Sequence, residues 1–127
     1  MPDDAPRLPG RKQGFLSLED GTPLARVGVC DSIRTRWRGL LGRDHLPYGD
    51  CVLLRPCRSV HTVGMRFPID VAFVDRDGVV LAVRENVPRG WVTVRGGGLR
   101  TRAVIEAAAG AFAKWGLAPG AKVVVEL

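Results

Sequence analysis

The sequence predicts one α+β domain that is mostly β-structure: a small antiparallel barrel or sandwich-like sheet built of hairpins, covered by one helix. Three observations support this. The chain has 127 residues, the size of a single ordinary domain. Hydrophobic residues make up 46% of it, which is enough for one continuous core. Short apolar runs separated by Gly- and Pro-containing turns recur along it, without the strand–helix alternation of a parallel sheet.

The N-terminal part is expected to lead into a hairpin. Residues 1–13 are rich in proline and polar side chains and are interpreted as a flexible tail, so that the domain covers residues 14–127. Residues 14–19 and 24–30 alternate between apolar and polar side chains around an Asp-Gly pair. This pattern predicts a β-hairpin, because glycine accepts the positive φ of a tight turn.

The covering helix is predicted at about residues 32–42. Asp31 or Ser32 can cap it, since a side-chain oxygen accepts a hydrogen bond from an otherwise unpaired backbone N–H. Helical spacing places four apolar side chains on one stripe, namely Ile33, Trp37, Leu40 and Leu41. Gly42 is expected to end the helix. The apolar stripe would cover an open end of the barrel.

The remaining elements follow from the same kind of pattern. Further strands are predicted at residues 51–54, 69–74, 79–84, 91–94, 103–107 and 122–126. Residues 57–68 are expected to be irregular, because Gly64 and Pro68 interrupt any regular pattern. An Asp-Gly turn at residues 75–78 predicts the clearest hairpin in the chain. Residues 111–115 form a short C-terminal helical turn closed by a glycine.

Charge and cysteine content limit the class of protein. The formal charge is +6 and sixteen of the nineteen basic residues are arginine, which favours weak attraction to anions without establishing nucleic-acid binding. Three cysteines without a Cys-x-x-Cys pair argue against a disulfide framework, a zinc ribbon or a redox site. No run approaches the roughly 18 apolar residues of a membrane span. We therefore expect a cytoplasmic protein.

Reactive side chains are concentrated in one motif, CRSVHTVGMRFPID at residues 57–70. Groups held just before a buried strand can form a site, and this is where the chain gathers them. We expect the motif to rim a pocket for a small polar or anionic ligand, or to contact a protein partner. The candidate ligand-binding residues are Ser59, His61, Thr62, Met65, Asp70 and Glu106.

An enzyme is the first alternative. Cys57 could act as a nucleophile, His61 as its base and Asp70 as the group that orients the imidazole. In the structural interpretation, Cys57 is a small buried side chain, His61 bonds a backbone carbonyl and Asp70 accepts hydrogen bonds that hold the motif against the sheet. No cofactor or metal is expected, because the spacing of these residues and Glu106 matches no recognised closed metal site.

A weak nucleic-acid contact through residues 89–102 is the second alternative. This segment has no acidic residue, three consecutive glycines and a tryptophan that could stack on a base. Its four arginines, Arg89, Arg95, Arg100 and Arg102, are candidates for binding an anion. It is not a Walker or Rossmann pattern, because the strand–helix context is missing.

The motif at residues 57–70 resembles that of the family known as domain of unknown function 192. The likeness extends to the segment WRGLLGR at residues 37–43, to the hairpin at residues 71–78 and to the glycines and prolines that follow residue 103. It implies a compact, β-rich α+β domain and no particular activity. The family motif often reads His-Thr-Phe-x-Met, whereas this chain has Val63 at the aromatic position.

Overall fold

In the computed structural model, which describes residues 7–127, a seven-stranded sheet curls into a half-barrel. The strands are Lys12–Leu18 (β1), Pro23–Cys30 (β2), Asp50–Leu54 (β3), Ser59–Val60 (β4), Ile69–Val74 (β5), Val80–Val87 (β6), Val94–Arg95 (β7), Ala103–Ala108 (β8) and Val123–Glu126 (β9). The helices are Ile33–Arg38 (α1) and Ala111–Trp115 (α2), with a 3₁₀ turn at Gly98–Arg100. The predicted mostly-β α+β class is confirmed.

The large sheet has the strand order β6-β5-β8-β3-β2-β1-β9. Its neighbours pair antiparallel except β2 and β3, which are parallel. Its two edge strands meet at one end, where Val79 pairs with Lys122. Strands β4 and β7 form a separate two-stranded ribbon. The predicted hairpins β1–β2 and β5–β6 are both present.

Both faces of the central strands are buried. One face packs on an apolar cluster that includes Leu16, Ile105 and Phe112 of α2. The other face packs on a second cluster that includes Leu40, Met65, Phe73 and Val104. Every residue of β3 and of β5 is buried, which explains their nearly continuous apolar sequences. The second cluster is covered by the residues that follow α1, by the motif segment and by the β4–β7 ribbon.

The covering helix is shorter than residues 32–42, and its stripe does not point into the core. Ser32 caps it through its side chain, as one of the two predicted caps, but the helix ends at Arg38 because Gly39 turns away with φ +45° and ψ −123°. Leu40 is buried, whereas Ile33 and Trp37 are 81% and 74% exposed. The chain changes direction at Gly39, so Leu40 enters the core while the two residues of the stripe that lie within α1 stay on its exposed face.

Other predicted boundaries differ from the structure, and the segment predicted to be irregular contains the short strand Ser59–Val60. Strand β1 begins at Lys12, inside the predicted tail, and Leu8 is only 3% exposed. The Gln13 side chain donates a hydrogen bond to the Leu8 carbonyl at 2.8 Å, which ties this segment to β1. Residues 1–6 of the predicted tail lie outside the described residues. The strand predicted at residues 91–94 is reduced to Val94–Arg95, and Trp91 is exposed.

Candidate functional site

A cavity of about 430 Å³ opens between α1, the motif segment and the face of β8, and we call it the motif pocket. Its apolar wall is formed by Ile33, Trp37, Leu40, Leu41, Leu54, Val60, Met65 and Val92. Its other lining residues are Arg36, Arg38, Cys57, Ser59, His61 and Glu106. A volume of this order lies within the range of about 300–1,000 Å³ that is usual for small-molecule sites.

Glu106 lies at the bottom of the motif pocket, on a strand that is paired on both sides. It stands opposite Val52 of β3 and Val71 of β5, and only 4% of its surface is exposed. Within residues 7–127 its carboxyl group has no hydrogen-bond donor and no cation as a partner. Burial therefore raises the pKa of Glu106 from its ordinary value to about 7. The bottom of the cavity thus carries a carboxyl group whose pKa lies near neutral pH.

A second polar group of the motif pocket also lacks a partner. The Nδ1 atom of His61 is buried and forms no hydrogen bond within the described part of the chain. The imidazole lies beside the Trp37 indole, with 6.0 Å between the ring centroids and 52° between the ring planes. Because a buried polar atom without a partner is costly, His61 and Glu106 both favour a polar ligand.

The rim of the pocket is held by Arg36. Its Nη1 donates to the Pro56 carbonyl oxygen at 2.8 Å, and its Nε donates to the Ser32 carbonyl oxygen at 3.3 Å. The bond to Pro56 connects α1 to the segment that follows β3, and the bond to Ser32 is made within the helix and its N-cap. Arg36 therefore fixes the width of the opening between the helix and the motif segment.

Asp70 does not join Cys57 and His61, so the predicted three-residue site is wrong in this respect. Its neighbours in β5 alternate between the two core clusters, and Asp70 lies on the face opposite the one that carries Val71 and the motif pocket. Its Oδ1 accepts a hydrogen bond from the Asn86 N–H at 2.8 Å. Its Oδ2 accepts from Gly110 at 3.0 Å and from Phe112 at 3.1 Å. Asp70 thus connects β5 to the start of α2.

Thr62 also lies outside the motif pocket, although the sequence placed it among the ligand-binding candidates. Its hydroxyl donates to the Pro88 carbonyl oxygen at 2.7 Å and accepts from the Trp91 N–H at 2.8 Å. Its backbone N–H donates to the Trp91 carbonyl at 2.8 Å. With no exposed surface, Thr62 holds the motif segment against the loop between β6 and β7.

Cys57 lines the motif pocket, but its environment opposes ionisation of the thiol. Desolvation raises the pKa of Cys57, and the negative charge of Glu106 acts in the same direction. The hydrogen bond to the Ser59 backbone, at 3.2 Å from Sγ to the carbonyl oxygen, and the charge of Arg36 lower the pKa of Cys57. Burial outweighs both effects.

Native protein at pH 7 should consequently react slowly with iodoacetamide at Cys57. Only the thiolate is nucleophilic, so the rate should keep rising with pH beyond about 8.5, the ordinary thiol pKa. Mass spectrometry of the alkylated peptide would locate the reaction, and Cys57→Ser is the control because Cys30 and Cys51 are buried. Fast alkylation at pH 7 with an apparent pKa well below 8.5 would restore the nucleophile hypothesis.

Comparison with known proteins identifies the family. The family model for domain of unknown function 192 (DUF192), described as "Uncharacterized ACR", matches residues 16–125. The chain belongs to the DUF192 family. The resemblance predicted from the motif at residues 57–70 is thereby confirmed. A comparison with curated proteins gives no match.

Two solved structures resemble this DUF192 chain. One is a protein of unknown function from Novosphingobium aromaticivorans DSM 12444, with a TM-score of 0.75 and 21% identity, covering 88% of this chain and 83% of the other. The second is a "putative transcription regulator" from Sinorhizobium meliloti 1021, with a TM-score of 0.75 and 18% identity, covering 95% and 98%. At these identities the likeness establishes the fold alone.

Two features of the DUF192 domain bear on the other function classes. Over residues 7–127, no helix has the length and apolar character needed to cross a bilayer. In the same part of the chain, no group of three His, Cys, Asp or Glu side chains is arranged to hold a metal ion.

The four arginines proposed for anion binding do not gather at one place. Arg95 lines a cavity on the other side of the β4–β7 ribbon. Arg100 lies 3.9 Å from Asp75, and Arg102 donates to the carbonyl groups of Leu99 and Thr101. Arg89 lies in the exposed loop between β6 and β7 and does not line that cavity.

About a third of the residues that line the motif pocket of this DUF192 domain were predicted from the sequence. Five predicted candidates line it, namely Cys57, Ser59, His61, Met65 and Glu106. The part supplied by α1, above all Trp37, was not predicted, because the apolar stripe was expected to face the core. The glycine directly after Arg38 was the available signal, since it ends the helix and lets the chain change direction before Leu40.

Proposed function

We propose that this DUF192 domain is a binding module whose motif pocket accepts a small polar ligand carrying a hydrogen-bond donor. The observation that carries the proposal is the Glu106 carboxyl group, which is buried at the bottom of a cavity of about 430 Å³ and has no hydrogen-bond or ion-pair partner among residues 7–127. A ligand donor would supply the hydrogen bond that the fold does not supply. The ligand needs an apolar body as well, because Trp37 and Met65 line the same space.

A donor group fits the pocket better than an anionic group. An anion at the bottom would meet the Glu106 carboxyl, which becomes negatively charged as the pH rises above its pKa of about 7. The guanidinium of Arg36 already donates to two backbone carbonyls at the rim. Of the predicted ligand classes, small and polar is therefore favoured for the motif pocket.

Binding is also favoured over catalysis by Cys57. The raised pKa of Cys57 disfavours the thiolate, and Asp70 is engaged by three backbone N–H groups away from His61. A base without its orienting carboxylate and a protonated thiol form a poor nucleophilic pair. The same side chains remain suitable as walls of a binding site.

Three probes with the same aromatic body test this proposal at pH 8. We expect benzylamine, a cation with N–H donors, and benzyl alcohol, a neutral donor, to bind saturably, and benzoate to bind much more weakly. Calorimetry or NMR titration would measure the affinities. In Glu106→Gln the affinity for benzylamine should fall by at least about tenfold, because a charge-assisted hydrogen bond is lost.

The apolar wall is tested with a matched pair of tryptophan variants. Trp37→Ala should weaken the binding of both donors, whereas Trp91→Ala removes an exposed indole outside the motif pocket and should not. Preferred binding of benzoate would contradict the proposal. So would benzylamine binding that is unaffected by both Glu106→Gln and Trp37→Ala.

A further inference from the structure

A second cavity lies on the other side of the β4–β7 ribbon, and we call it the arginine cleft. Its volume is about 460 Å³, and three arginines line it: Arg58, Arg84 and Arg95. They come from the motif segment, from β6 and from β7, so the fold brings together cations that are distant in the sequence. Two of them, Arg58 and Arg84, lie outside the arginine-rich segment at residues 89–102.

Backbone carbonyls orient two of these side chains. Nε of Arg84 donates to the Arg95 carbonyl oxygen at 3.0 Å, and Nε of Arg58 donates to the Thr101 carbonyl oxygen at 3.3 Å. Each bond uses one N–H of a guanidinium and leaves the two Nη groups available. An arginine held in this way loses less conformational entropy when it binds a ligand.

The positive charge in the cleft is not neutralised by the protein. Neither Arg58, Arg84 nor Arg95 forms an ion pair with a side chain in residues 7–127, and no acidic residue lines the cavity. Elsewhere the chain does pair its arginines, as between Arg26 and Asp50 at 2.8 Å. Three arginines that line one cavity without a carboxylate provide the positive charge that an anion requires.

Two glycines of the loop after β7 line the cleft, namely Gly96 and Gly98. Gly96 packs closely on β5, whereas the backbone at Gly98 is accessible. A Cβ on Gly96 would lie 2.6 Å from the Phe73 ring, so only glycine lets the loop pack this closely on β5. At Gly98, a Cβ would meet no heavy atom within 4 Å, which leaves the backbone open to the cavity. An open backbone beside arginines suits the oxygens of a small anion.

We propose that the arginine cleft binds a small anion bearing a phosphate group. Guanidinium groups match phosphate oxygens bidentately, and three of them surround the space. A single-stranded nucleic acid would require an aromatic surface for its bases, and the cleft is lined by no aromatic side chain; its apolar contribution is the 82% exposed Leu99. This site is independent of the motif pocket, although Ser59 lines both cavities.

Inorganic pyrophosphate at low salt is the probe for this site. We expect saturable binding in calorimetry, together with NMR shifts of the backbone amides at residues 96–99. Arg95→Ala should weaken binding by about tenfold or more, because a charge-assisted contact is lost. No hydrogen bond or ion pair of the described chain uses the Arg95 side chain, so this variant should fold normally.

The matched control is Arg76→Ala, which removes the same charge from an exposed position outside the cleft. Its affinity for pyrophosphate should stay within about twofold of the parent. Glu106→Gln should also leave it unchanged, which separates this site from the motif pocket. Equal losses in Arg76→Ala and Arg95→Ala, or no saturable shift at residues 96–99, would overturn the proposal.

A twelve-nucleotide oligothymidylate tests the other kind of partner. We expect it to bind weakly and to be displaced by pyrophosphate. Oligonucleotide binding that requires Arg84 and Arg95 and that pyrophosphate does not displace would assign the cleft to nucleic acid and contradict the small-anion proposal.

Discussion

Replacing Glu106 with glutamine is expected to make the domain more stable above pH 7 and to remove most of the pH dependence of its stability between pH 5 and 8. Burial raises the pKa of Glu106 from 4.5 to about 7 in the folded protein. Folding therefore favours the protonated carboxyl group, while the unfolded chain ionises it near its ordinary pKa. The buried carboxyl group should act as a source of instability in neutral and alkaline solution.

The direction of this effect follows from the number of protons that Glu106 binds in the folded and in the unfolded state. Between about pH 4.5 and pH 7 the folded protein holds one proton on Glu106 that the unfolded chain has lost, so the free energy of unfolding falls as the pH rises. The fall amounts to about 3 kcal/mol and is complete above pH 7. A glutamine at this position cannot titrate, and the difference between variant and parent should therefore grow by about 3 kcal/mol across this window.

Urea denaturation at several pH values would measure this effect. Glu85→Gln makes the same chemical change at an exposed position and should leave the pH profile of the parent in place. The quantity compared is the difference in free energy of unfolding between variant and parent, and how it changes with pH. Any cost of burying the glutamine amide is the same at every pH and therefore cancels. A constant difference between Glu106→Gln and the parent from pH 5 to pH 8 would show that Glu106 has an ordinary pKa in the fold.

Replacing Asp70 with alanine is expected to destabilise the domain by about 3–5 kcal/mol. The carboxylate accepts three backbone hydrogen bonds, from Asn86, Gly110 and Phe112, at distances of 2.8–3.1 Å. Its removal leaves the buried Phe112 N–H and the partly buried N–H groups of Asn86 and Gly110 without this acceptor, and an unpaired buried donor costs about 1–3 kcal/mol. Since Asp70 itself is fully buried, water cannot take its place without opening the packing around α2.

Circular dichroism and urea unfolding at pH 7 would measure the loss. Asp70→Asn should also be destabilised, because its amide presents an N–H group to at least one of the donors. Asp77→Ala, in the exposed β5–β6 turn, should change stability by less than about 0.5 kcal/mol. A melting curve of Asp70→Ala that matches the parent would show that these hydrogen bonds contribute little.

The parts of the fold that depend on neighbouring residues were predictable from the sequence. The Asp-Gly turn at residues 75–78 and the alternating runs on either side of Asp20 specify hairpins through a few neighbouring residues. The parallel pairing of β2 with β3 was not predictable, because it depends on the path of the residues between them. The predicted α1 was too long, because the helical spacing of the apolar residues continues past Gly39 whereas the helical backbone ends there.

The candidate site was predictable only in part, for a related reason. The motif segment places Cys57, Ser59 and His61 close together by sequence alone, and the structure keeps them in one pocket. The face of the sheet on which the Asp70 carboxylate lies depends on which side of β5 packs against each of the two apolar clusters. Successive residues of a strand point to opposite faces, so one position decides whether a carboxylate meets the motif or α2. Arg58 and Arg84 line the same cleft only in the complete sheet, so the sequence alone does not show that they lie close together.

The strand order has a consequence for the sequence of events in folding. Strand β8 lies between β3 and β5, although both of them precede it in the chain. The hairpins β1–β2 and β5–β6 can form early from neighbouring residues, but the centre of the sheet stays open until Ala103–Ala108 inserts. During synthesis on the ribosome, β3 and β5 therefore stay exposed, apolar and half-paired until β8 has emerged. The strand that closes the centre of the sheet is also the one that brings Glu106 to its place.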